Sequence, residues 1–330
     1  MEGLKRGAYE AVKNCLNLTE EERIVIITDI ETLEIAVCLM EESKKITEKI
    51  RFFIIEDFYP RPVKEIPDEI LKSVQQSQVG ILAMQGKKGE LENFRRPLLK
   101  QVNNSQIRFA NMININQKIM REGMNANYKE IQKFSNKIYN TIKNSSQIKV
   151  KTKLGTNLTA EFDPSIRWVI GDGNIKAGNW KNLPDGEVFT CPYIINGTAI
   201  IDGVLGDHFS KKYGTLQNSP LYLKIEKGFI KQAKCKNKTL EKEFNEKIAT
   251  DENSSRIGEF AIGTNLFIKE LIGNMLQDEK FPGIHIAAGN GYPEKTGSDC
   301  SSAIHIDGII RKPDIVVDGK MIMKEGGFLV

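Results

Sequence analysis

Glycine is distributed very unevenly along this 330-residue chain. Six of its 27 glycines lie in residues 1–150 and 21 in residues 151–330. All three histidines, His208, His285 and His305, fall in the second part. Glycine lets a backbone turn tightly or approach another backbone closely. The asymmetry therefore implies a first half of long regular elements and a second half of short strands, turns and loops.

The first half bears this reading in its hydrophobic pattern. Segments 23–29 (RIVIITD), 50–56 (IRFFIIE) and 79–84 (VGILAM) are continuous apolar runs, as in strands covered on both faces, and 107–113 (IRFANMI) supplies a fourth. Helical patterns at 1–16, 33–43 and 68–75 alternate with them. That order predicts a Rossmann-like parallel α/β sheet over about residues 17–115. Tyr128, Ile131, Phe134, Ile138 and Ile142 recur every three or four residues, the face of a helix packing on the sheet or bridging to the next domain. The polar stretch after it places the domain boundary at 147/148.

From residue 148 the pattern alternates, as in IKVKTKL and LYLKIEKGFI, with Gly, Asn and Asp turns between. This predicts an α+β, β-rich domain over 148–330, with helices only at 236–248 and 266–275.

Several functions are excluded on composition. The 47 basic and 43 acidic residues leave a formal charge of +4, too weak for a nucleic-acid or anionic-membrane partner. No apolar run reaches the roughly 20 residues of a bilayer span. The start MEGLKRGAYEAVKNC has neither an apolar signal core nor a cleavage site. Five scattered cysteines without a CxxC pair suit a reducing cytoplasm. VGILAMQGKKGE imitates a phosphate loop, but it has five residues between Gly80 and Gly86 and no hydroxyl after Lys87. The first strand–helix turn, Thr28-Asp29-Ile30-Glu31, lacks the glycine that a dinucleotide pyrophosphate needs. HExxH and GxSxG are absent. Cys300, five residues before His305, reads as a small buried thiol.

Chemistry concentrates in four stretches of the second half: NLPDGEVFTCP from 182, RIGEFAIGTN from 256, DEKFPGIHIAAGNGYPE from 278 and SSAIHIDGIIRKPD from 301. In a strand, residues i and i+2 share a face, so His305 and Asp307 emerge together while Ile304 and Ile306 turn inward. His285 is set against Ile284 and Ile286 in the same way. Glu187 and Glu259 each follow a glycine and precede an apolar pair. Singly, a Glu after Gly is a solvated turn and a lone strand His is a structural residue. Together, two of only three histidines among several carboxylates form the donor mixture of a divalent hydrolytic site, and the carboxylate excess favours two ions over one. Gly186, Gly258, Gly283 and Gly308 are expected at tight turns beside these donors. Asp172 and His208 read as turn residues or as groups orienting a ligand.

In order, these four stretches resemble the signatures of the aminopeptidase T family of metallopeptidases, family M29, of which the chain looks like a short member. The resemblance is strongest over 150–330. It implies metal ligands at Glu187, Glu259, Glu279, His285, His305 and Asp307, with Tyr292 at the metal centre. It further implies a dimeric exopeptidase acting on peptides, with two cations of zinc, cobalt or manganese. Glu259 is the expected bridge, Glu187 or Glu279 the proton acceptor, and Tyr292 the donor to the oxyanion. Two other readings compete. One is a mononuclear Fe(II) dioxygenase that opens dihydroxypyridine rings, since two His and one carboxylate also make a facial triad. The other is a non-catalytic metal- or peptide-binding protein, which dispersed side chains would favour.

Overall fold

A computed structural model describes residues 2–330, which divide into two compact units. The first runs through Gln132 and takes back Asp172–Asp185; the second holds Lys133–Gly171 and Gly186–Val330. This division falls inside the helix Tyr128–Ile142, earlier than the 147/148 boundary expected from composition. Ile138 and Ile142 of that helix belong to the core of the second unit, so the cores part before the polar stretch begins. No described helix is long and apolar enough to cross a membrane.

The first unit begins with Glu2–Tyr9 as α-helix and Glu10–Cys15 as a wider π-helical turn. The Met1 end of the predicted helix lies outside the described residues. Strands Ile24–Thr28 (β1), Ile50–Ile54 (β2), Val79–Met84 (β3) and Arg108–Ile113 (β4) form a parallel sheet in the order β2-β1-β3-β4, and Trp180–Asn182 adds a fifth parallel strand beside β4. β1 and β3 are buried throughout, under helices Asp68–Gln76 and Arg96–Asn104. β2 differs from the expectation of a strand covered on both faces. It is the sheet edge, and only Phe53 within it is buried.

In this order the chain reverses direction between β1 and β3, where sheets of this kind open a ligand crevice. The side chains there bind one another. Arg61 donates to Asp29 Oδ2 at 2.8 Å, to Glu90 Oε1 at 2.5 Å and to the Gln85 carbonyl at 2.5 Å. The Gln85 N–H donates to Asp29 Oδ2 at 2.7 Å, and Asp29 Oδ1 caps the following helical turn through the Thr32 N–H.

The second unit has two sheets. One is an eight-stranded antiparallel sheet running from Phe229–Cys235 at one edge to Gly327–Phe328 at the other, with the alternating burial read from the sequence. The other is built from Val169–Gly171 (β5), Glu187–Thr190 (β6), Ile257–Gly263 (β7), Gly283–Gly289 (β8) and His305–Ile310 (β9), all antiparallel, in the order β9-β8-β7-β6-β5. Val188, Phe260, Ile262, Ile284, Ile286, Ile306 and Ile310 share one core with Ile148, Val150, Leu158 and Ala199 of the larger sheet. Burying each such aliphatic side chain contributes roughly 1.5–3 kcal/mol. That core fixes one face of the smaller sheet rigidly.

The helix expected at 236–248 is present as Lys238–Lys247, capped by the Asn237 side chain. The one expected at 266–275 is not: residues 266–274 are irregular and only Met275–Asp278 is helical. The Asp278 carboxylate accepts the N–H groups of Ile272, Gly273 and Asn274, and Gly273 adopts φ +78°. Backbone donors satisfied by a side chain have no need of a helix.

Candidate metal centre

Strand parity sorts the site. With Val188, Phe260, Ile262, Ile284, Ile286 and Ile306 in the core, their neighbours Glu187, Glu259, His285, His305 and Asp307 face the other way. Register then lines them up across the sheet. Glu259 lies opposite Ala287, which lies opposite Asp307; His285 is opposite Ala261, Glu187 opposite Gly263, and His305 opposite Gly289. Every polar side chain thus has a glycine or alanine beside it on an adjacent strand, which leaves room over the sheet for something other than side chains.

Glu259 reaches that face through an irregularity. Ile257 pairs with Ala288 and is a core residue, so simple alternation would send Glu259 into the core as well. Instead the register shifts between the two, with Gly258 as the extra residue of a bulge, and Glu259 pairs with Ala287. Only glycine fits there, because a Cβ on Gly258 would stand 2.0 Å from the Gly289 carbonyl oxygen.

The donor atoms converge. His285 Nε2 lies 3.1 Å from Glu259 Oε1 and 3.4 Å from Glu187 Oε2. His305 Nε2 lies 3.2 Å from Asp307 Oδ1 and 3.8 Å from Glu259 Oε2. Two sets of three donors result, Glu187–Glu259–His285 and Glu259–His305–Asp307, each with ligand atoms within 4.8 Å of one another. Glu259 belongs to both, offering one oxygen to each side. His305 Nδ1 is 2.8 Å from the Asn290 carbonyl, the kind of partner that fixes an imidazole so that its other nitrogen can bind a cation.

Charge inside the site is unbalanced toward acid. Against the cost of burial, the Lys280 ammonium and His285 hold Glu187 down at about 2. Burial lifts Glu279 to about 8, with Lys280 pulling the other way and Glu187 and Asp307 adding to the rise. Burial opposes protonation of His305, but Asp307 and Glu259 outweigh it and raise the imidazole to about 10. His285 is raised well above its ordinary value by Glu187 and Glu259 despite burial. Glu187 Oε2 is the telling atom, since it is buried and has no hydrogen-bond donor, only the ion-pair contact with His285. The orphaned oxygen and two His–carboxylate sets suit divalent ions such as zinc, cobalt or manganese.

Of the other expected residues, Glu279 falls in neither set; its oxygen is 2.7 Å from Lys280 Nζ. Tyr292 packs its ring 4.7 Å from that of His305, edge-on to Phe189, and sits in the left-handed backbone region at φ 51°. Burial keeps its phenol protonated, and Glu259 and Asp307 reinforce this. Asp172 accepts from the Asn174 N–H and Lys181, a turn in the first unit. His208 is exposed, 3.8 Å from Glu243. Cys300 is buried, its thiol on the Gly289 carbonyl. Sequence reasoning missed Lys280, which lies 2.5 Å from Glu187 Oε1. Its Asp-Glu-Lys run, where a short helix ends before the strand Gly283–Gly289, reads as solvated surface.

Comparisons with known proteins bear on the fold and the family. The family model described as thermophilic metalloprotease (M29) matches residues 99–328. No curated protein matches by sequence. Among solved structures, the chain is similar to wild-type AmpT from Thermus thermophilus, with TM-score 0.73 and 16% identity over 100% of this chain and 99% of that one. It is also similar to 2,5-dihydroxypyridine dioxygenase from Pseudomonas putida KT2440, with TM-score 0.71 and 16% identity over 99% and 97%. At that identity both show the fold, and they share it while bearing names of different chemistry. The match over most of the length decides the family: the chain belongs to the M29 metalloproteases.

Proposed function

We propose that the protein is a metal-dependent aminopeptidase that removes N-terminal residues from peptides, with two divalent cations at the Glu187–Glu259–His285 and Glu259–His305–Asp307 positions. The observation that carries this reading is Glu259, whose two oxygens face two different histidines. Divalent cations bound there supply Lewis acidity and bring a water's pKa toward neutrality. The chain does the rest. Glu279 lies outside both donor sets, tied to Lys280 beside Glu187, so it suits taking a proton from the attacking water and passing it to the leaving amine. Tyr292, kept protonated, donates to the oxyanion that develops on the scissile carbonyl. The free thiols of all five cysteines suit a cytoplasmic enzyme, and a homodimer is the assembly we propose.

The dioxygenase reading needs both histidines on one cation with a carboxylate. Among the described residues each histidine belongs to a different set, which favours the hydrolase. The test is metal analysis of the purified full chain with a panel of aminoacyl and peptide substrates, including N-acetylated controls. We expect chelation to abolish release of the N-terminal residue, Co²⁺, Zn²⁺ or Mn²⁺ to restore it, and acetylated peptides to resist. Oxygen uptake on hydroxylated pyridines after anaerobic Fe(II) loading, without peptidase activity, would overturn the proposal.

A further inference from the structure

Lys280 is one of the largest fully buried side chains among the described residues, at 1% exposure. A buried ammonium persists only where carboxylates meet it. Lys280 Nζ lies 2.5 Å from Glu187 Oε1 and 2.7 Å from Glu279 Oε1. The oxygen of Glu187 that it leaves alone is Oε2, the orphaned atom directed at His285. Glu259 is built differently: both of its oxygens face imidazoles. One carboxylate therefore has a single oxygen to give, and the other has two.

We infer that Lys280 is a positioning residue that restricts Glu187 to one-oxygen coordination and makes the two cation positions unequal. This rests on the two-cation reading above. A cation at Glu187–Glu259–His285 shares a carboxylate with a fixed ammonium, and like charges a few ångströms apart in a buried site repel strongly. At Glu259–His305–Asp307 the ion pairs seen are to histidines alone, and Lys295, 5.1 Å over the Tyr292 ring, is felt by Glu187 and by the shared Glu259, so it weighs on both positions. The Glu259–His305–Asp307 position fills first and holds its ion more tightly. The Glu187 position fills second and exchanges its ion. Glu279 anchors the ammonium from outside both donor sets.

The test is titration of the metal-free full chain with Co²⁺, followed by visible absorption and chelator competition. We expect two equivalents, the first at least about tenfold tighter than the second. His305→Ala should remove the tight equivalent and His285→Ala the weak one. Lys280→Met should bring the two affinities within about threefold, and Lys280→Arg should keep them apart. Equal affinities in the unaltered protein, or tight binding that survives His305→Ala, overturn the inference. So does an unchanged ratio in a Lys280→Met protein that melts cooperatively. Should Lys280→Met fail to fold, the two histidine variants decide alone. Binding of no Co²⁺ at all would instead defeat the two-cation reading itself.

Discussion

Among the described residues, the Arg61 cluster of the first unit and the acid cluster of the second are both buried at strand ends, and they are built to opposite purposes. In the first unit Arg61 sits between Asp29 and Glu90, with Glu56 at 3.6 Å, and its remaining donor goes to the Gln85 carbonyl. A planar guanidinium with several fixed donors saturates its acids. In the second unit Glu187, Glu259, Glu279 and Asp307 surround two histidines and Lys280, with Lys295 over the neighbouring Tyr292 ring, and a carboxylate oxygen is left without a donor. The side-chain types are nearly the same. What separates a structural clamp from a ligand site is whether the donors run out before the acceptors do.

Breaking the acid-rich cluster should have the largest effect. Glu259→Gln removes the donor common to both sets, so both bound equivalents and peptidase activity should be lost together. The loss should exceed the roughly 100-fold typical of an outer partner of a metal ligand, as read by metal analysis and kcat/KM. If one full equivalent survives, Glu259 is not shared. Next comes the clamp. Arg61→Met strands two buried carboxylates and should cost about 3–5 kcal/mol in denaturant unfolding, with metal stoichiometry intact. Tyr292→Phe tests a neutral group within the acid-rich cluster. About 10²-fold in kcat should go with KM and metal content unchanged.

The smallest effect sharpens the contrast through pH. Although burial opposes it, Arg61 and the Val63 and Lys87 N–H groups hold the Glu90 carboxyl below its usual range. A carboxyl depressed on folding stabilises fully above its unfolded pKa and loses that contribution as pH falls through the folded value. Thermal midpoints of the unaltered protein should therefore fall more steeply below about pH 4.5 than those of Glu90→Gln. Parallel curves would show that the clamp does not depend on Glu90 ionisation.

Much of this was legible in the sequence, and the residues show why. Strand alternation around His285 and around His305–Asp307 holds because a period of two leaves no other choice once the isoleucines enter the core. The parallel strands of the first unit follow from unbroken apolar runs. Less legible was anything set by the third dimension. IRFFIIE has the composition of a central strand, but sheet order makes it an edge. Residues 172–185 return to the first unit through a strand of three residues, too short to leave a pattern. The glycines flanking the donors are not all at turns. Gly186 alone has a left-handed φ, at +134°, Gly283 opens its strand, and Gly308 lies inside one. Lys280 escaped because a lysine beside Asp and Glu looks like solvated surface until its burial is known.

The bulge at Gly258 has a consequence for how such a site tolerates change. Substitutions alter what a side chain is, but insertions and deletions alter which way every later side chain points. Losing Gly258 itself would leave Glu259 next to Ile257 and still on the donor face by plain alternation, whereas losing a residue from the regular part of the strand, such as Phe260, would turn over every side chain on one side of the loss and present hydrocarbon where donors are needed. The site is therefore encoded partly in counting.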